Sequence, residues 1–171
     1  MLEFAQTYFP LYLRGAGVGI MLTVAAMIGS VAIGLVGALA RISRHPVRRV
    51  IATAYVAVFR GVPPLVLLYI LYFGLPAWAQ EMQIHWLVAL SAPLNSRLFA
   101  ATLAFAINSG AYSTEILRAS INSIESDQFE AARSLGMSYV LSLRRIILPQ
   151  ALRIAFPPLG NEFIIVLKGT S

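Results

Sequence analysis

The chain has 171 residues, of which 58% are apolar and only 12% charged, with a mean hydropathy of +0.76. Soluble domains run near ~45–50% apolar and ~25% charged, so this composition excludes an ordinary soluble core. The net charge of +6 does not point to nucleic acid, because twelve of the 13 basic residues are Arg gathered beside apolar runs.

With no cysteine, disulfides, zinc–thiolate sites and cysteine nucleophiles are excluded. The two histidines, His45 and His85, lie in different polar segments and suggest no metal site. Residues 1–10 carry one charge, Glu3, and no basic run, so the first apolar stretch does not have the form of a cleaved signal peptide. Val18–Ala40 is free of charge and long enough for the ~20 residues that cross a bilayer. It predicts a first span over about 15–40. Ala26, Ser30, Gly34 and Ala38 recur every fourth residue in it, a stripe where a second helix can approach closely. Packing is sufficient explanation for the stripe.

After Arg41, Arg44, Arg48 and Arg49 comes a second apolar region over 50–80, interrupted by Arg60-Gly61-Val62-Pro63-Pro64. Two prolines remove two backbone donors and disfavour helix just before each. The expectation is an interfacial helix over about 48–59, a break, and a second span over about 62–79; one kinked helix is the alternative. Arg60 and the prolines are read as setting the entry to that span. Trp78 and Trp86 flank an outer loop (80–97) as interfacial anchors, and His85 is read as solvated. A third span is expected over about 98–117. The fourth, about 151–168, contains Pro157, Pro158, Gly160, Asn161 and Glu162, which predict a broken or kinked helix bordering protein or a cavity.

Charge sets the orientation. Ten basic residues fall on one side if Arg41–Arg49, Arg60 and 118–153 lie inside, leaving Arg14, Arg97 and Lys168 outside. The N-terminus and the 80–97 loop are then outside and the 118–153 segment is cytoplasmic.

The polar stretch 122–149 is organised. Asp127 followed by Glu130 fits a capping box, Glu130-Ala131-Ala132 starts a helix, and Gly136 supplies a left-handed turn to end it. Ser138 caps a second helix to about Ile147, with Pro149 as its limit. Leu135, Met137, Tyr139, Leu141 and Leu143 leave apolar surface there. Two readings stand: an amphipathic hairpin on lipid headgroups, or a helix that docks in a partner's groove.

Glu130-Ala131-Ala132, then Gly136, then Ile146, Leu148 and Pro149 match the EAA signature of binding-protein-dependent ABC permeases, EAA-x3-G-x9-I-x-LP. Residues 60–64 with 69–76 (YILYFGLP), 111–120 (AYSTEILRAS) and 159–171 (LGNEFIIVLKGTS) resemble the polar-amino-acid subfamily, whose members take up histidine, glutamine, arginine or opines. The resemblance covers nearly the whole chain from about Arg14. It implies an all-α integral membrane protein: about four helices of a five-helix type I importer permease, with a cytoplasmic coupling helix-turn-helix at 122–149. In the family pattern a last span follows the Lys-x-Thr-Ser segment, so the resemblance implies that the final helix is absent here. It further implies a bacterial inner-membrane location, an ABC ATPase dimer that carries ATP and Mg, a second permease subunit and an extracytoplasmic amino-acid-binding protein. In the family this loop sits in a cleft on the ATPase and couples nucleotide-driven closure to the spans.

Two acids fall in or beside spans, where ionisable groups are costly and suggest function. Asn108, Tyr112 and Glu115 share a helix face, and Asn161 and Glu162 follow the double proline, so both clusters are candidates for a translocation path. The structural alternatives are a Glu115–Arg118 ion pair and a Glu162 pair with Arg153 or Lys168. No cofactor or metal site is expected. The only Lys, Lys168, follows Leu167, which excludes a GK[ST] phosphate loop. A membrane-embedded enzyme lacks a catalytic constellation, and a truncated or regulatory membrane protein is the remaining alternative.

Overall fold

Long apolar runs without strand periodicity form helices, and all regular structure among the described residues is helical. The computed structural model describes residues 2–170, with side chains from Tyr8 onward. The Glu3 side chain and Ser171 lie outside the described residues. Helix α1 (Leu2–Ile42) exceeds the expected 15–40 at both ends and runs through Pro10. It is the one unbroken helix among the described residues long and apolar enough to cross a membrane.

The expected break at the double proline is present. Helix α2 (Pro46–Gly61) ends there, at a 103° bend to the segment Pro64–Glu81. That segment is α3 (Pro64–Tyr69), a π turn (Ile70–Gly74) and α4 (Leu75–Glu81). Helix α2 is longer than 48–59 and doubles back along its neighbours: Tyr55 Oη donates to the Ile107 carbonyl at 2.6 Å. The 80–97 stretch is no simple loop. Gln83 takes a left-handed φ of 51°, and the apolar sequence after it forms α5 (His85–Ser91) and a 3-10 turn (Ala92–Asn95). A 98° bend leads into α6 (Arg97–Asn122), longer than the expected 98–117.

The core is α1 against α6, which run parallel, as the contacts show: Gly29 faces Ala106, Gly34 faces Ser113, and Arg41 reaches Glu115. The small-residue stripe does the packing expected of it. Ala26, Ser30 and Ala38 are fully buried, and Ser30 Oγ and Ser113 Oγ share a hydrogen bond of 2.8 Å. At Gly34 even a methyl would collide, since a Cβ would lie 2.5 Å from the Ser113 Cβ and 2.9 Å from its backbone carbon. The backbones approach because nothing stands between them.

After α7 (Ser126–Ser134) and α8 (Tyr139–Ser142), a π turn (Leu143–Ile147) leads directly into α9 (Leu148–Thr170). Two expectations fail here. Pro149 does not end the second short helix, and of the broken or kinked helix expected at Pro157 and Pro158 the break is absent. A proline crowds the carbonyl four residues back. The π turn widens the register just before Pro149, with the Leu148 amide bonding the Leu143 carbonyl five residues back. Helix α9 runs antiparallel to α1 and α6: Ala151 and Ala155 pack with Ala38 and Leu117, while Thr170 reaches Thr23 at 3.1 Å.

Candidate functional site

The EAA residues lie at the end of the bundle where α1 stops, and the structure divides them between two faces. Ala132 is buried, and Ile146 and Leu148 pack on the cluster of Ala38, Leu117, Ile121 and Ile147. Glu130, Ala131, Gly136 and Pro149 are exposed. One face of the motif therefore fastens the segment to the bundle and the other is offered outward. Gly136 has φ +75°, the left-handed turn expected of it. Ser138 Oγ accepts from the Leu141 amide at 3.4 Å, as a cap should.

The capping box is not formed. Helix α7 begins two residues earlier than the box requires, with Glu125 at the N-cap and no side-chain cap bond. Asp127 sits inside the first turn, where its charge still complements the helix dipole. The Phe129 and Tyr139 rings stack at 5.8 Å and 8°, tying α7 to α8 across the turn. The outward face is strongly apolar, with Leu135 80% and Val140 70% exposed and Tyr139 and Leu141 beside them. Val140 escaped the sequence reading because it falls outside the alternating Leu/Met/Tyr positions. Met137 and Leu143 turn out to be half-buried.

Asn108 and Tyr112 carry out a different task from the one their shared face suggested. In a helix each carbonyl accepts from the amide four residues on, so Pro63 and Pro64 orphan the carbonyls of Phe59 and Arg60. Asn108 Nδ2 donates to Phe59 O at 2.7 Å and to Val62 O at 2.8 Å. Tyr112 Oη donates to Arg60 O at 3.3 Å, and the Arg60 guanidinium lies 4.9 Å over the Tyr112 ring. Two residues one turn apart on α6 thus replace the two donors that the prolines remove. The break in α2 is held by α6.

Glu115 is occupied as well. Arg41 Nη1 donates to Oε1, and Arg118 donates to Oε2 through Nη2 at 2.8 Å and Nε at 3.1 Å. The Arg118 pair was expected; Arg41, 74 residues away in sequence, was not. Glu162 is 7% exposed and accepts from Ser109 Oγ at 2.7 Å. Its partner is a hydroxyl on α6, and not the Arg153 or Lys168 that was the structural alternative to a place on the path. Asn161, next to it, is exposed. Among the described residues no group of acids and histidines could hold a metal.

Residues 30–171 match the family described as binding-protein-dependent transport system inner membrane component. The chain belongs to this family. It is 41% identical over 163 residues to YckA, a probable amino-acid ABC transporter permease of Bacillus subtilis strain 168, covering 95% of this chain and 66% of the relative. The L-cystine transport system permease TcyB of the same organism is 38% identical, with 97% and 65% covered. The crystal structure of an amino acid ABC transporter with histidines superimposes with a TM-score of 0.79 at 38% identity, covering 99% of this chain and 72% of that one. The chain thus spans about two thirds of the length of these relatives. The helical architecture is that of type I ABC importer permeases, and the family's members are permease components, not enzymes.

Proposed function

We propose that this chain is the membrane-spanning subunit of an ATP-driven importer that passes polar amino acids from an extracytoplasmic binding protein into the cytoplasm. The observation that carries the proposal is the two-faced EAA segment. Its inner face is packed on the bundle core and its outer face is an apolar helix surface around the exposed Glu130, Leu135 and Val140. Such a surface suits a groove on a partner. The partner is an ABC ATPase dimer, which holds the ATP and Mg, since this chain has no GK[ST] loop. A second permease subunit completes the membrane portion.

The orientation follows from charge. Arg41 and Arg118 meet on one acid, and the ends of α1 and α6 lie together with the 122–149 segment, so the Arg-rich positions share one end of the bundle. That end faces the cytoplasm of a bacterial inner membrane, and the N-terminus faces outside. Asn108, Tyr112 and Glu115 border the translocation path as structural residues, whereas Asn161 and Glu162 are the ones left to meet substrate.

Nucleotide-dependent capture of the partner ATPase by this chain in membranes tests the coupling, with Glu130→Lys expected to abolish it. Capture undiminished by Glu130→Lys would sink the coupling role. Uptake and ATPase activity measured separately for Glu162→Gln test the path, where unchanged uptake would remove Glu162 from it.

A further inference from the structure

A groove of about 860 Å³ runs between α1 and α2, walled by Ile33, Val36, Leu39 and Ile51 and closed at one end by Ser43 and Arg48. It is open along its length, since Val36 is 69% and Ile51 64% exposed. We infer that this groove seats one acyl chain of an anionic phospholipid, with Arg48 holding the phosphate. The Tyr55 hydroxyl, the one other polar group on the wall, already donates to Ile107 O, so the wall beyond the Arg48 end presents apolar surface to an occupant.

Length agrees with this occupant. From Ala32 to Ser43 the wall of α1 rises about 16 Å at about 1.5 Å per residue, close to the ~15 Å of hydrocarbon in one leaflet. Charge agrees as well. Residues 4–80 contain no Asp or Glu, and the ion pairs of the described residues engage Arg41 and Arg118 with Glu115. Arg48, with exposed Arg44 and Arg49 beside it, therefore waits at the groove mouth for an anion from outside the chain. A second copy of this chain, at net charge +6, is a poor source of that anion. Basic pockets between helices at the cytoplasmic side suit anionic headgroups. The inference rests on the membrane location, and its test uses neither the ATPase nor uptake, so it fails or stands apart from the transport reading.

Native mass spectrometry of the purified chain in detergent, titrated with phosphatidylglycerol and phosphatidylcholine of equal acyl length, reads the preference directly. The wild type is expected to favour phosphatidylglycerol by about ten-fold or more. Near ~1 kcal/mol per surface arginine, Arg48→Ala should cut that preference about five-fold, lowering phosphatidylglycerol retention more than that of the zwitterionic phosphatidylcholine. Val36→Trp, which fills the groove, should lower retention of both lipids. Arg48→Gln serves as a second variant, with helicity and elution volume confirming the fold of each. Equal retention of the two lipids by the wild type, or a preference unmoved in both Arg48 variants, would overturn the inference. Because the chain has no cysteine, a Val36→Cys variant adds a clean probe. Disulfide trapping between copies through it would show a protein interface and overturn the lipid seat, whereas a monomer that still retains phosphatidylglycerol supports it.

Discussion

Replacing Asn108 with Leu keeps the volume of the side chain and removes both donors. In the structure those donors serve Phe59 O at 2.7 Å and Val62 O at 2.8 Å, beside Pro63 and Pro64, which can donate to neither. A buried carbonyl left without a partner costs about 1–3 kcal/mol, whereas hydrogen bonds between membrane helices average ~0.6 kcal/mol. Two such bonds therefore give an expected loss of about 1–3 kcal/mol, concentrated at the α2 break. The cysteine-free chain allows spin labels at Val58→Cys on α2 and Phe99→Cys on α6, both exposed sites. Asn108→Leu should broaden their distance distribution and lower the midpoint of unfolding in dodecyl sulfate. Ser109→Ala, one residue on but bonded to Glu162 on α9, should leave the α2–α6 distribution intact. An Asn108→Leu protein with wild-type distances and midpoint, but without uptake, would refute the structural role and return Asn108 to the substrate path.

Gly34→Ala should cost about 1–3 kcal/mol through overpacking, read as a lower unfolding midpoint, and Ser113→Gly in the same chain should restore little of it, because the Ser113 backbone carbon, 2.9 Å from the added methyl, stays in the way. Glu115→Gln leaves the Arg41 and Arg118 guanidinium groups facing one another without a carboxylate. It should destabilise more than Arg118→Gln does, and the reverse order would contradict the shared pair. Tyr139→Ala should leave the bundle core intact, because the ring touches Phe129 on α7, but should speed amide exchange in 126–142 by loosening α7 from α8.

The sequence reveals most where the physics is local. The Arg run after residue 40 places the end of α1 within two residues of its observed Ile42, Gly136 is legible because a left-handed turn suits glycine, and Ser138 is legible as a cap. The small-residue stripe is legible because only packing needs it. The capping box fails for the opposite reason. Asp127 and Glu130 have the right spacing, but Glu125 precedes them and the chain entering from Ile124 fixes an earlier start. Pro149 and the Pro157–Pro158 pair read as breaks because local rules omit the π turn and the surrounding helices. Asn108 and Tyr112 show the limit most clearly. Their i, i+4 spacing is visible, while the carbonyls they serve lie about fifty residues earlier and become needy only through two prolines. Glu162 meets Ser109, and Glu115 meets Arg41, by the same long-range route.

The unbroken helical path from Tyr139 to Thr170 has a mechanical meaning. No non-helical residue interrupts it, so if it turns as one body about the fully buried Ile147 it forms a single lever. At ~1.5 Å per residue the arm toward Tyr139 is about 12 Å and the arm toward Thr170 about 35 Å. A displacement of ~2 Å at the short end becomes about 6 Å at the far end, a threefold gain at that helical rise. The long arm carries Glu162 past Ser109 on its way. A push on the exposed end of this rod would therefore be felt as a larger swing deep within the bundle.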